Sequence, residues 1–409
     1  MVLRSYDAAR DREAVHRIWR EVGWVEKGKE ERMDRYVGCG RALVAEVAGA
    51  AESLVTSVPG SLRYLDEELP FSAITGVTTS RVARQQGLAT RLTALALAAD
   101  AAEGALVSGL GMFEQGFYDR LGFGTGGYEH WLAVDPADIR VPVRHRVPRR
   151  LPREEWRAAH AARLARRRGH GGVNLIPPEV TESEMTAGDD DFGLGYADAP
   201  GGELTHGFWC RVKDSESGPY SIEWMAYRTR EQLLELLALL HSLGDQVRLI
   251  EVREPPGILL QDLIARPLQR RQATEKSRFE NKMTALAYWQ MRICDLPACL
   301  ARTGMPCGEV RFNLKLTDPV ERLLDTDAPW RGVGGDYLVG LGRISGAERG
   351  HDPTLPTLAA SVGAFTRLWL GVRPAAGLAA TDHLTGPPGL LEALDGALRI
   401  PDPHPDWDF

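Results

Sequence analysis

The run from Ala73 to Val77 is apolar and β-branched, and it feeds through a short basic turn into a helical pattern that opens at Arg84-Gln-Gln-Gly-Leu-Ala89. Leu88, Leu92, Leu95, Ala96 and Ala99 recur at the spacing of one helix face. A strand that enters a helix through a glycine-bearing turn belongs to a layered α/β arrangement. It also aims several backbone N–H groups at one point, at the positive end of the helix dipole, which suits a pyrophosphate. Gly87 permits close approach of backbone to ligand, Ala89 keeps the path narrow, and Arg84 and Arg91 add positive charge. The plain alternative is an ordinary strand-to-helix turn with a basic start, which a short motif alone does not exclude.

At 409 residues the chain is too long for one typical core, so two or three domains are expected. A hydrophobic fraction of 44% and a charged fraction of 26% are those of a soluble globular protein. The formal net charge of −7 argues against a nucleic-acid binder, which would carry a basic face. The five cysteines, Cys39, Cys210, Cys294, Cys299 and Cys307, are dispersed without zinc-finger spacing, which points to the reduced cytosol and to no metal site. No run approaches about 18 apolar residues and the first residues lack a signal-peptide pattern, so a cytoplasmic protein without membrane attachment is expected.

Residues 1–139 read as the first domain. Val2 to Tyr6 is a strand candidate, and Asp11 is expected to cap the following helix, whose apolar side carries Val15, Ile18 and Trp19. A charged helix over Lys27 to Tyr36 comes next, then strands at Ala42 to Val47, Ser53 to Val58 and Phe71 to Thr78. Beyond the long helix lie a strand at Leu106 to Leu110 and the run Phe117-Tyr-Asp-Arg-Leu-Gly-Phe-Gly124. The Arg-x-x-Gly-x-Ala turn and this Phe-Tyr-x-Arg-Leu-Gly-Phe-Gly run, in that order, resemble two signatures of the GNAT N-acetyltransferases. The resemblance implies acetyl-CoA on the turn and a tyrosine, here Tyr118, that protonates the departing CoA thiolate. A phenol of ordinary pKa about 10 is a reasonable donor to a thiolate; the alternative for Tyr118 is a packing residue.

Residues 140–285 repeat the strand–helix plan without its chemistry. Strand-like segments at Gly193 to Ala197, Gly207 to Val212 and Tyr220 to Arg228 precede a leucine-rich helix, Arg230 to Leu243, and a strand, Val247 to Val252. Pro255 and Pro256 then stand where donor N–H groups would be needed, so a degenerate copy without its own CoA is expected. A basic strand at Arg144 to Arg150 and a charged helix at Arg153 to Arg168 are expected, with the basic run Arg163 to Arg168 on a solvated face. From residue 286 the pattern changes again, with Trp289-Gln-Met-Arg-Ile, a proline-started helix, an amphipathic strand at Val310 to Leu316, Phe365-Thr-Arg-Leu-Trp-Leu-Gly371 and a terminal Trp407-Asp-Phe409.

Taken together, these features resemble the Eis (enhanced intracellular survival) family of N-acetyltransferases over essentially the whole chain. That resemblance implies an α/β (α+β) fold in three parts: a catalytic GNAT domain (1–139), a degenerate GNAT-like domain (140–285) and a sterol-carrier-like α+β domain (286–409). It implies that the α-carboxylate of Phe409 enters the first domain's active site as general base, while Tyr118 is the acid. A free α-carboxylate of pKa about 3.5 is a poor base in water, but burial raises it. Pro401, Pro403 and Pro405 stiffen the approach, and Trp407 and Phe409 can anchor it. The alternative is a frayed terminus.

By the same resemblance, Val77, Thr78 and Thr79 contact the pantetheine and acetyl group, and Arg84, Gln85, Gly87, Leu88 and Ala89 hold the pyrophosphate. Gln85 and Gln86 replace arginines common there, which implies a weaker hold on CoA. Trp24, Glu26, Phe113 and Asp408 are candidates to line the amine pocket, with Phe113 narrowing it. The implied activity is direct acetyl transfer to primary amines of small cationic molecules or lysine side chains, with no metal and with a hexameric assembly. The rival is a lipid- or sterol-binding protein whose last domain does the work, against which the intact 84–89 turn counts.

Overall fold

The structure, a computed structural model, describes residues 1–199, 201–266, 274–305 and 308–409, so the expectation for Cys307 lies outside the described residues. The chain divides into two compact units, one of Met1–Gly127, His170–Pro177 and Ala287–Phe409, the other of Tyr128–Gly169 and Pro178–Leu286.

The first unit opens with β1 (Val2–Ser5), α1 (Ala8–Glu21), α2 (Glu31–Val37), β2 (Arg41–Val47), β3 (Ala50–Tyr64) and β4 (Glu67–Thr79). Then come α3 (Leu88–Ala102), β5 (Val107–Gly111) and β6 (Gly124–Thr125). Its main sheet runs β1-β2-β3-β4-β5, then the strand Trp289–Ile293, then β6, with Val173–Leu175 paired on β3. β3 and β4 extend well beyond their apolar cores because the hairpin carries them to Tyr64 and Glu67. Asp7, not Asp11, caps α1, accepting from the Ala9 N–H at 2.9 Å. Asp11 is buried in a bidentate pair with Arg4, at 2.6 and 2.8 Å, which holds its carboxyl below the usual range. Asp11 also accepts from the Asp7 N–H at 2.9 Å, so it serves Arg4 and the helix start together while Asp7 takes the cap.

β4 and β5 are parallel and pair from Phe71↔Val107 to Ile74↔Leu110. Beyond that register β4 continues through a bulge at Gly76, whose φ is 63°, while β5 ends at Gly111. A Cβ on Gly76 would lie 2.6 Å from Thr56 Oγ1, so the bulge requires glycine. The two strands thus part at a defined point.

A second sheet in the same unit orders Gly346–Arg349, Gly335–Leu341, Val310–Thr317, Thr357–Ser361 and Leu384–Thr385. Its helix Val362–Trp369 packs on Trp289–Ile293, where the Ile293 N–H donates to Thr366 Oγ1 at 3.0 Å.

The second unit holds a seven-stranded sheet in the order Lys282–Leu286, Glu129–Val134, Ile250–Arg253, Tyr220–Ala226, His206–Val212, Phe192–Tyr196 and Arg149–Leu151. The helix Arg230–Ser242, started by a Thr229–Gln232 capping box, connects the parallel pair Tyr220–Ala226 and Ile250–Arg253. The basic segments depart from expectation. Strand pairing is confined to Arg149–Leu151, and the helix spans only Trp156–Leu164. Arg163 and Arg166 are buried rather than solvated; Arg163 pairs with Glu184 and donates to Thr181 Oγ1 at 2.9 Å. After Pro255 and Pro256 only a short 3-10 turn forms, Leu260–Leu263.

Candidate functional site

Ser80 to Gly87 carries the chain from β4 into α3. The Ser80 N–H donates to the Glu52 carbonyl at 2.8 Å, tying the loop's start to β3. Gln85 and Gly87 both take left-handed conformations, φ 61° and 71°. Gly87 occupies the N-cap of α3, where no side chain caps the helix. The first N–H groups of α3 therefore point outward with the dipole behind them. Arg84, Gln85, Gln86 and Gly87 are exposed, while Leu88 turns inward to the core. This loop can take an anionic group on its backbone.

A cavity of about 650 Å³ opens beside it. One wall is Val77, Thr78 and Thr79 at the end of β4, and another is the loop from Ala83 to Thr90. Phe113, Glu114, Phe117, Tyr118 and Arg120 close the far side, with Val22 and Trp24 at the edge. Phe113 is 95% exposed and Trp24 41%, so both form a rim rather than a floor.

Tyr118 is buried, held edge-on between Phe117 and Phe123 with ring centroids 4.8 and 6.2 Å away. Burial pushes its phenol up to about 12. The group is a proton donor at any physiological pH. The turn Asp119–Leu121 follows directly, and the Leu121 N–H returns to the Tyr118 carbonyl at 2.9 Å.

The chain end lies where β4 and β5 part. The Gly111 N–H donates to an oxygen of the Phe409 carboxyl group at 3.2 Å, and the Phe409 ring meets Phe71 edge-on at 5.6 Å. Upstream, Trp407 is buried, the Val173 N–H donates to the Pro405 carbonyl at 2.8 Å, and the His404 N–H donates to the His170 carbonyl at 2.9 Å. The Tyr288 hydroxyl donates to Asp408 at 2.6 Å. This terminus is docked, not frayed.

Residues 5–126 match the acetyltransferase (GNAT) domain family. The chain carries a GNAT acetyltransferase domain. Over its whole length the fold is that of several solved structures. A probable N-acyltransferase from Enterococcus faecalis V583 superposes with a TM-score of 0.79 at 18% identity, over 100% of this chain and 99% of that one. Eis1 from Mycobacterium abscessus gives 0.76 at 19%, over 100% of both chains. A GCN5-related N-acetyltransferase from Kribbella flavida gives 0.74 at 19%, over 100% and 98%. No curated protein matches at a significant level.

The GNAT domain brings Val77, Thr78, Thr79, Arg84, Gln85, Gly87, Leu88, Ala89, Trp24, Phe113 and Tyr118 around one cavity. Glu26, Asp408 and Phe409 do not line it: Glu26 is exposed and pairs with Lys29 at 3.4 Å, Asp408 is held by Tyr288, and Phe409 is held at the end of β5 by the Gly111 N–H. Sequence reasoning missed Glu114, Phe117 and Arg120. They flank Tyr118 in the same run, and Arg120 lies over the Phe117 ring at 5.3 Å. Cys294 packs in the apolar cluster that holds Tyr118. Burial pushes the Cys294 thiol up to about 12, so it is not an acyl carrier. Among the described residues no cluster of His, Cys, Asp and Glu could hold a metal ion, and no helix is long and apolar enough to cross a membrane.

Proposed function

We propose that this GNAT domain transfers the acetyl group of acetyl-CoA directly to primary amines of small cationic substrates, of the aminoglycoside, polyamine or lysine type. The observation that carries the reading is that the uncapped loop 84–89 and the buried Tyr118 phenol face one cavity. The loop fits the donor's pyrophosphate: its N–H groups are open, its glycine is left-handed, and Arg84 stands at the rim. Acetyl-CoA, when bound, supplies an activated acyl carbon.

The chain's own groups handle the protons. The Phe409 carboxylate takes a proton from the substrate ammonium, directly or through water, and leaves a neutral amine able to attack. The Gly111 N–H fixes that carboxylate beside the gap between β4 and β5. Tyr118 donates its proton to the departing sulfur and is restored by the second proton that the nitrogen sheds as the amide forms, so the proton taken up at Phe409 is the one released to solvent. The raised phenol is matched in part by its surroundings, because the same apolar wall raises a thiol as well. The enzyme acts in the cytoplasm as a homo-oligomer, a hexamer by family resemblance, which light scattering of the purified protein tests.

The deciding assay combines acetyl-CoA with a panel of aminoglycosides and polyamines and follows free thiol. Thiol release with at least one amine is expected. None with any amine, from protein shown to be folded, defeats the proposal. The lipid-binding alternative fares poorly at the cavity of about 990 Å³ beside the second sheet, because Glu321, Arg322, Arg367 and Asp382 line it. Titration with acetyl-CoA and with a sterol separates the two readings.

A further inference from the structure

The Trp289-Gln-Met-Arg-Ile293 strand has no part in the mechanism above, yet it buries a charge. Arg292 lies opposite Ser108 of β5, and its side chain and that of Asp318 are both 0% exposed. Its Nη2 donates to Asp318 Oδ2 at 2.6 Å, and its Nη1 reaches Oδ1 at 3.3 Å. Asp318 is fixed from its other side. The Val333 N–H donates to Oδ2 at 2.9 Å and the Val320 N–H to Oδ1 at 3.3 Å. The guanidinium also sits over the Trp330 ring at 5.0 Å. Its Nη1 makes one further bond, to the carbonyl of Leu121.

Leu121 closes the turn that starts at Tyr118. Both the Leu121 and Phe123 N–H groups donate to the Tyr118 carbonyl, at 2.9 and 3.3 Å. Gly122 between them is left-handed, φ 80°, and a Cβ there would fall 2.8 Å from Arg292 Nη1 and 2.4 Å from Val362 Cγ1. The turn and the ion pair are therefore fitted against each other with no room for a side chain. Leu121, Phe123, Val320 and Leu324 share the apolar cluster that encloses the Tyr118 ring.

A buried ion pair is a poor source of stability, because desolvation offsets its attraction and apolar isosteres often serve as well. What a guanidinium offers is a rigid fork of directional donors. Here the fork spans a carboxylate pinned by two backbone N–H groups and the carbonyl that ends the Tyr118 turn. That is a geometric strut.

We propose that Arg292 and Asp318 are positioning residues for Tyr118, holding the 118–122 turn so that the phenol meets the departing sulfur. The proposal rests on Tyr118 being the proton donor. The test is a double-mutant cycle on the full chain, with Arg292→Lys in the wild-type and Tyr118→Phe backgrounds and kcat and the KM for acetyl-CoA read separately. In the wild-type background kcat falls, by about 10²-fold for a displacement on the order of 1 Å, and KM holds because the 84–89 loop is untouched. In the Tyr118→Phe background the residual rate does not change. Equal losses in both backgrounds overturn the positioning role while leaving the acid assignment intact. A Tyr118→Phe enzyme with wild-type turnover removes the acid assignment and this proposal with it. Should Arg292→Lys not fold, the apolar pair Arg292→Met with Asp318→Leu removes the strut without stranding a charge. It is expected to melt below the wild type, because the Val320 and Val333 N–H groups lose their acceptor, yet to remain folded and lose kcat in the same background-dependent way; full turnover overturns the proposal.

Discussion

Burial sets the pH behaviour of Tyr118, the proposed donor. Because the phenol is pushed up to about 12, it keeps its proton until the solution is strongly alkaline. The kcat profile is therefore expected to show no phenol limb between pH 8 and pH 10, and Tyr118→Phe should lower kcat by about 10²-fold or more. An alkaline limb near pH 10 in the wild type that vanishes in Tyr118→Phe would mean an unshifted phenol that still acts as the acid, whereas wild-type turnover in Tyr118→Phe would sink the assignment. At the end of β5, a Cβ added at Gly111 would lie 2.8 Å from the Phe409 carboxyl oxygen. Gly111→Ala is expected to displace that carboxylate and match the loss of turnover caused by deleting Phe409. Gly111→Ala with normal turnover would separate the carboxylate from the chemistry. The cavity-lining residues legible in the sequence were mostly those inside the two signature runs, where local order fixes what faces the cavity. Glu26 and Asp408 stand outside the cavity, because nearness to a motif along the chain says nothing about where a side chain finds its partner. Glu26 finds Lys29 and Asp408 finds Tyr288.

At the scale of elements, α3 and its loop were readable because periodicity and glycine placement are local signals. Gly87 shows what the glycine contributes. Nothing lies within 4 Å of a Cβ built there, so any penalty comes from φ 71° alone. Gly87→Ala should destabilise the protein by about 1 kcal/mol, and it should weaken acetyl-CoA binding by more than stability because the helix's first N–H groups re-aim. Calorimetric titration with CoA reads the second effect; unchanged affinity would show that the loop does not hold the pyrophosphate. Elements decided by distant partners were not readable. Asp11 had the right type for a cap but is taken by Arg4, and Arg163 in a basic run is buried against Glu184 and Thr181. Arg163 is neutralised by a distant helix and Asp11 by the preceding strand, and helix spacing reports neither pairing. The same holds for Arg292, whose partner Asp318 lies on a different element.

The first unit as a whole is assembled from three separated lengths of chain, and this non-contiguity was the least legible feature. The short length His170–Pro177 contributes a strand on β3 and two of the backbone bonds that hold the terminal segment. His170 anchors it. Its Nδ1 accepts from the Leu65 N–H at 3.1 Å, its Nε2–H donates to the Leu370 carbonyl at 3.0 Å, and its ring meets Tyr64 edge-on at 4.8 Å. Tyr64 in turn stacks on Trp369 at 4.4 Å and donates to its carbonyl at 2.8 Å. Only a neutral imidazole satisfies both backbone groups, and burial pushes His170 down to about 4, with His404 adding to the fall and Asp402 and the Leu370 carbonyl opposing it. The unfolded chain therefore binds a proton at His170 before the folded one does. Stability is lost as pH falls from about 6.5 to about 4, and the loss amounts to about 3 kcal/mol before it levels off. His170→Gln keeps an acceptor and a donor but cannot titrate. Its melting temperature at pH 7 should drop, because the ring packing against Tyr64 is lost. Its further decline between pH 6.5 and pH 4 should be shallower than the wild type's, and parallel declines in the two proteins would show that His170 is not the group that couples this anchor to acid.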